Sequence, residues 1–222
     1  MRIVVFDLDG TLVDTGADLI AAANACFDAM GAGHPLDPVA DKAVAFRGGR
    51  AMLRLGFERI GRGDEAAVDA HYGPLLEHYG ANIDTHSQVY PGAMEAVDEM
   101  ARAGIVSVIC TNKPEGLAET LMARMGLRDA FAALVGADTL PLRKPDPAPF
   151  REAVTRAGGD PARALMVGDT ETDHLTARAA GVPSVLVRFG PEPERLAELG
   201  ADAILDAYAD LPDLAERLLG RG

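Results

Sequence analysis

Two aspartates one residue apart, Asp7 and Asp9, follow directly on the apolar run Ile3-Val4-Val5-Phe6. Side by side, such carboxylates can hold a hard cation through oxygen ligands, or one can attack a substrate while the other handles a proton. Three further polar groups could join them. Thr111 and Asn112 follow the apolar stretch Ile105–Cys110, Lys144 stands between Arg143 and Pro145, and Gly168-Asp169 follows Ala164–Val167 with Asp173 four residues past Asp169. Each has a plainer reading. Asp-x-Asp can open a turn, Thr-Asn before a Pro-led helix can cap it, a lone Lys is usually solvated, and Asp169 can cap the next helix. Those readings do not explain why three apolar runs end on Asp, Asp, Thr and Asp with a Lys nearby.

The elements that must position these groups follow from pattern. Ile3–Phe6 is short, apolar and largely β-branched, as a strand buried on both faces should be. Two carboxylates cannot lie inside such a strand, so they belong where it ends and its loop begins. Leu19, Ile20, Ala23, Phe27 and Met30 recur at helical steps from Gly16 to about Gly31. Asp37 before Pro38 predicts a second helix start, a third helix runs from Ala51 to about Ile60, and Asp64 caps a fourth that ends near Gly80. Strand and helix patterns then alternate: a helix from Tyr90-Pro91-Gly92 to about Ala103, the strand ending at Cys110, and a helix from Pro114 to Met125. A short strand near Leu134, a helix from Pro147 to about Ala157, the strand Ala164–Val167 and a helix from Glu171 to Ala180 come next. Strands Ser184–Val187 and Ala203–Leu205 complete the series.

This alternation predicts an α/β fold: a Rossmann-like parallel sheet with helices on both faces and an inserted α-helical cap. The predicted boundaries put the α/β core at 1–15 and 86–222 and the helical cap at 16–85. Ligands of open parallel sheets bind beyond the carboxyl ends of the strands, the level of Asp7, Asp9, Thr111 and Asp169. The insert leaves the sheet at that same end and is therefore expected over it.

At 222 residues and 48% hydrophobic the chain can bury a sizeable core. Its net charge of −13 leaves no basic face for nucleic acid or an anionic membrane, so an anionic substrate must be drawn locally by a metal ion and a few Lys or Arg. Cys26 and Cys110 have no metal-ligand spacing and read as buried, reduced thiols. No apolar run reaches membrane-spanning length, and the N-terminus lacks the regions of a signal peptide, so a cytoplasmic protein is expected.

The box Asp7-Leu8-Asp9-Gly10-Thr11-Leu12, then Thr111, Lys144 and Gly168-Asp169…Asp173, resemble in order the four motifs of the haloacid dehalogenase-like hydrolases. The fit spans essentially the whole chain. The helical insert is similar to the small cap of the phosphoglycolate phosphatase and phosphomutase branch, and Thr111-Asn112-Lys113-Pro114 is similar to phosphoglycolate phosphatases. The resemblance implies a Mg²⁺-dependent hydrolase of a small phosphorylated metabolite, acting as monomer or homodimer. Asp7 would be the nucleophile and Asp9 the acid and base. Asp7 and Asp169, with the backbone carbonyl of Asp9, would hold the metal. Lys144 would shield charge, Thr111 and Asn112 would bind the phosphoryl group, and Asp173 would orient metal-bound water.

Asp9 argues against dehalogenases, which lack that second acid. Mutases usually carry a His where this chain has Asp18-Leu19-Ile20, and Lys42, the only cap Lys, reads as a surface residue rather than an imine-forming amine. A mutase and a non-catalytic binding protein of the same fold stay open. Arg47, with Arg50 as the lesser candidate, flanks Gly48-Gly49 and is a candidate reader of an anionic group on the substrate, against the plainer reading of two solvated arginines beside a turn.

Overall fold

The computed structural model describes residues 1–190 and 193–220. In chain order the elements are β1 (Arg2–Phe6), β2 (Val13–Asp14), α1 (Gly16–Ala29), α2 (Lys42–Ala45), α3 (Gly49–Arg59), α4 (Glu65–Ala81) and β3 (Gln88–Val89). Then come α5 (Ala93–Arg102), β4 (Ile105–Cys110), α6 (Glu115–Arg124), β5 (Leu134–Val135), α7 (Ala148–Arg156) and β6 (Ala164–Gly168). The chain continues through α8 (Glu171–Ala180), β7 (Ser184–Val187), α9 (Leu196–Leu199), β8 (Ala203–Leu205) and α10 (Leu211–Leu219). Two compact units result: Met1–Val13 with Val89–Gly222, and Asp14–Gln88.

The first unit is built on a six-stranded sheet in the order β5-β4-β1-β6-β7-β8, with every pairing parallel. Ile3 through Phe6 are fully buried, as expected of a central strand whose alternate side chains fill opposite layers. Ile3 and Val5 join Val108 and Met166 in a cluster closed by Phe150 and Val154 of α7 and Ala177 of α8. α5 packs on β4, and α10 on β6 and α5. Register positions the chemistry. Phe6 lies opposite Ile109 on one side and Val167 on the other, so three neighbouring strands finish at nearly one level. The residues that follow are Asp7, then Cys110-Thr111, then Gly168-Asp169.

The second unit is all helix apart from its terminal strand residues, with α1 packed on α4, α3 and α2. Its core gathers Ile20, Phe27, Met52, Leu53, Phe57 and Leu75. Asp64 caps α4 by accepting from the Ala67 N–H at 2.9 Å. The helix expected at Asp37 does not start there. The Asp37 carboxylate accepts from the Val39 and Ala40 amides in a turn, Asp41 accepts from the Asp37 N–H, and α2 comes later with only four residues.

Candidate active site

β1 runs into a tight loop in which the Leu8 carbonyl accepts from the Leu12 and Val13 N–H groups and the Gly10 N–H donates to the Val13 carbonyl. Gly10 has φ +82°, and a Cβ there would lie 2.5 Å from Asp169 Oδ2, so only glycine lets this loop reach the Asp169 carboxylate. The Asp7 N–H continues the sheet to the Val167 carbonyl at 2.9 Å, while its carboxylate accepts from the Leu8 N–H at 2.7 Å. Thr11 donates its hydroxyl to Asp169 Oδ1 at 2.8 Å.

Lys144 is buried, and its Nζ lies 3.0 Å from Asp7 and 2.7 Å from Asp173. Burial works against its charge, yet the Asp173 and Asp7 carboxylates hold the ammonium proton well above the ordinary lysine range. Asp173 is consumed on both oxygens. One takes Lys144, and the other accepts from the Thr170 N–H and hydroxyl at the start of α8. This reach back from the third helical position ties the beginning of α8 to the site. A Cβ on Gly168 would meet Asp173 at 2.3 Å, so the strand end must be glycine for α8 to come this close.

Asp7, Asp169 and Asp173 offer carboxylate oxygens that all lie within 4.8 Å of one another. Three carboxylates against the Lys144 ammonium leave two negative charges in a buried site. Burial pushes Asp7 up to about 6, with Asp173 and Asp9 adding to the rise against Lys144. It pushes Asp169 well above the carboxylate range, helped by Asp173 and Asp7. Asp169 Oδ2 is a buried oxygen with no hydrogen-bond partner. A buried acceptor of this kind is costly unless a cation meets it, and a small divalent ion with oxygen ligands would satisfy the oxygen and the charge together. The donor set fits Mg²⁺.

The Asp9 side chain does not join that group. Lys113 Nζ grips both its oxygens, at 2.6 and 2.8 Å, so the carboxylates that close on one point are those of Asp7, Asp169 and Asp173. Thr111 is buried and accepts the Lys113 N–H at 3.1 Å; α6 begins only at Glu115, so Thr111 is not the cap of that helix. Asn112, expected at the phosphoryl group, is exposed and donates its side-chain N–H to the Lys144 carbonyl at 3.0 Å. It tethers one loop of the site to the other. Cys110 is free and buried, and burial pushes its thiol up to about 12, so it stays protonated beside the acids.

Pattern places Thr11 and Lys113 within quoted stretches but gives neither a role, and it does not single out Tyr208. Tyr208 is buried and donates its hydroxyl to the Thr11 carbonyl at 2.7 Å, bracing the acid loop from 197 positions away. The clue to Lys113 was its place two residues past Thr111 at the polar end of a buried strand.

Within the helical unit Arg47 is exposed beside Gly48, which has φ +93°. Arg50 pairs with Asp69 and stacks on the Tyr72 ring, so the lesser candidate is occupied locally. Asp18 is buried and accepts from the His86 N–H and from the Ser87 N–H and hydroxyl, a structural clasp on the returning chain. Lys42 is ion-paired with Asp14. No described helix is long and apolar enough to cross a membrane.

A family model described as haloacid dehalogenase-like hydrolase matches residues 1–181. The phosphoglycolate phosphatase of Agrobacterium fabrum is 40% identical over 225 residues, covering 99% of this chain and 95% of its own. That of Rhodospirillum rubrum is 42% identical over 217 residues, covering 96% and 90%. Among solved structures, a predicted phosphoglycolate phosphatase from Haemophilus somnus superposes with a TM-score of 0.85 at 24% identity, covering 96% of this chain and 97% of that one. CbbY from Rhodobacter sphaeroides in complex with phosphate superposes with 0.75 at 24% identity, covering 95% and 96%.

Proposed function

Because the chain belongs to the haloacid dehalogenase-like hydrolases, we propose that it is a Mg²⁺-dependent phosphatase of small phosphate monoesters, with phosphoglycolate as the reference substrate. The observation that carries the reading is Asp7, a carboxylate at a strand end with Lys144 at 3.0 Å and a buried three-aspartate cluster around it. Asp7 and Asp169, with the backbone carbonyl of Asp9, would hold the ion and Asp173 would orient its water; when bound the ion would supply positive charge against both the carboxylates and the phosphoryl oxygens.

The residues then divide the work. An Asp7 oxygen attacks phosphorus, the P–O bond to the leaving group breaks with its electron pair on the ester oxygen, and Asp9 gives that oxygen a proton. Water attacks the resulting aspartyl-phosphate, Asp9 takes the water's proton, and the Asp7–phosphorus bond breaks to release inorganic phosphate. Lys144 keeps Asp7 aimed and offsets the repulsion between a negative nucleophile and a negative phosphoryl group. Thr111 offers its hydroxyl proton to a phosphoryl oxygen. We assign residues 16–85 the role of a substrate-selecting cap, with Arg47 as the reader of a substrate carboxylate. Glycolate carries such a group, and a guanidinium fork matches it.

A panel of phosphate esters that includes phosphoglycolate and p-nitrophenyl phosphate, run with Mg²⁺ and with excess chelator, tests this reading. Mg²⁺-dependent turnover, highest on a carboxylated ester, is expected. Full activity in chelator, or no turnover of any ester, would refute it.

A further inference from the structure

We propose that Lys113 is the positioning residue for Asp9, and that without it Asp9 cannot deliver a proton to the leaving group; this rests on the phosphatase reading above. The stretch Thr111-Asn112-Lys113-Pro114 places a second lysine beside the site without giving it a role. The structure nevertheless supplies one ammonium for each acid of the first box, Lys144 on Asp7 and Lys113 on Asp9.

The geometry is that of a built support. Lys113 is buried, its side chain only 3% exposed against 18% for Asp9. Its Nζ meets both Asp9 oxygens, at 2.6 and 2.8 Å, which fixes the rotation of the carboxylate as well as its position. The base of the lysine is pinned too: its N–H donates to the Thr111 hydroxyl at 3.1 Å, and its carbonyl accepts from the Ala137 N–H at 2.9 Å. A side chain held at both ends can hold another. A solvated lysine passing near an acid would have neither the burial nor the pinned backbone.

Consider what Asp9 has to do. As the ester P–O bond breaks and its electron pair stays on the leaving oxygen, the proton moves from the Asp9 carboxyl to that oxygen, and Asp9 is left negative. Lys113 stands against the charge so created, and it keeps the same carboxylate in place for the water that attacks next. Alkoxide leaving groups need that proton, whereas strongly acidic phenols hardly do.

The test follows from that difference. kcat/KM would be measured for wild type, Lys113→Met and Lys113→Arg on substituted phenyl phosphates that differ only in leaving-group acidity and carry no carboxylate. If Lys113 serves Asp9, Lys113→Met steepens the dependence on leaving-group acidity, losing about tenfold or more between p-nitrophenyl and phenyl phosphate relative to wild type, within the 10²–10⁴ available to general acid catalysis. Lys113→Arg recovers part of that slope. Stabilisation by Mg²⁺ in a thermal melt, retained by both variants, shows that the site is folded, and Lys113→Gln substitutes for the methionine variant if that one fails to fold. Parallel lines for wild type and variant, whatever their vertical offset, would overturn the proposal while leaving the phosphatase reading intact. A wild type that hydrolyses no member of the series would overturn the phosphatase reading, and the role of Lys113 with it.

Discussion

Lys144→Met would remove the one ammonium shared by two buried carboxylates while keeping most of the side-chain volume. At 3.0 and 2.7 Å the two ion pairs are close to contact. With an effective dielectric constant of about 20, each is a gross attraction of roughly 5–6 kcal/mol. Most of that is offset by the cost of burying the charges. What the substitution exposes is the cost of leaving the carboxylates without a partner, about 3–5 kcal/mol. For a chain of this size about 2–4 °C of melting temperature corresponds to each kcal/mol, so a fall of about 6–20 °C is expected in chelator. Saturating Mg²⁺ should return part of it, because the ion meets the same carboxylates. Turnover should fall by about 10²–10³, as for loss of one preorganised charge aimed at the reaction. Differential scanning fluorimetry with chelator and with Mg²⁺ reads the first quantity, and a coupled phosphate assay the second. A melting temperature within about 2 °C of wild type in chelator would refute the reasoning, since the carboxylates would then not depend on Lys144.

Asp7→Asn, an amide in place of the nucleophile, should lose several decades of turnover with the fold intact; retention of more than about a tenth of the wild-type rate would sink the covalent mechanism. In chelator, stability should fall as pH rises from about 4 to 6. The unfolded Asp7 gives up its proton near 3.8, whereas burial makes the folded one hold it to about 6, so over that window the unfolded state binds fewer protons. The difference between wild-type and Asp7→Asn melts isolates this effect at about 3 kcal/mol, and a flat difference across the window would contradict it. Arg47→Ala should lower kcat/KM for phosphoglycolate at least tenfold more than for p-nitrophenyl phosphate, as expected when a charge-assisted contact to one substrate is lost; equal losses would return the Gly48-Gly49 turn to a structural role.

The groups that could be read from the sequence sit where the pattern changes abruptly. Ile3–Phe6 breaking off at Asp7, and Ala164–Val167 giving way to Gly168-Asp169, are buried strands that stop on charge. The strands Ser184–Val187 and Ala203–Leu205 and the helix Glu171–Ala180 fall where periodicity and flanking glycine and proline put them. What pattern could not give is pairing across long separations. The Lys113–Asp9 contact spans 104 positions and Thr11–Asp169 spans 158, so neither leaves a local signal. β2 and β3 have two residues each, too few for a period to register. At Asp37 the signal was present and misassigned. An Asp before Pro suits a helix start and a turn equally, and here its carboxylate is taken by the amides two and three residues on.

The contact from the Tyr208 hydroxyl to the Thr11 carbonyl bears on how the protein is made. Ribosomes build a chain from its N-terminal side, so the acid loop emerges 197 positions ahead of its brace. Thr11, held by Tyr208, in turn holds Asp169, and burial raises the Tyr208 phenol, with the nearby Asp169 adding to it, so that the hydroxyl stays a donor. Until residue 208 has cleared the exit tunnel, the nascent chain carries every acid of the cluster but not the contact that locks their loop. The acid loop is thus closed only once residue 208 is free, and a stop codon just after β8 would yield a chain with all the motif residues and none of that closure.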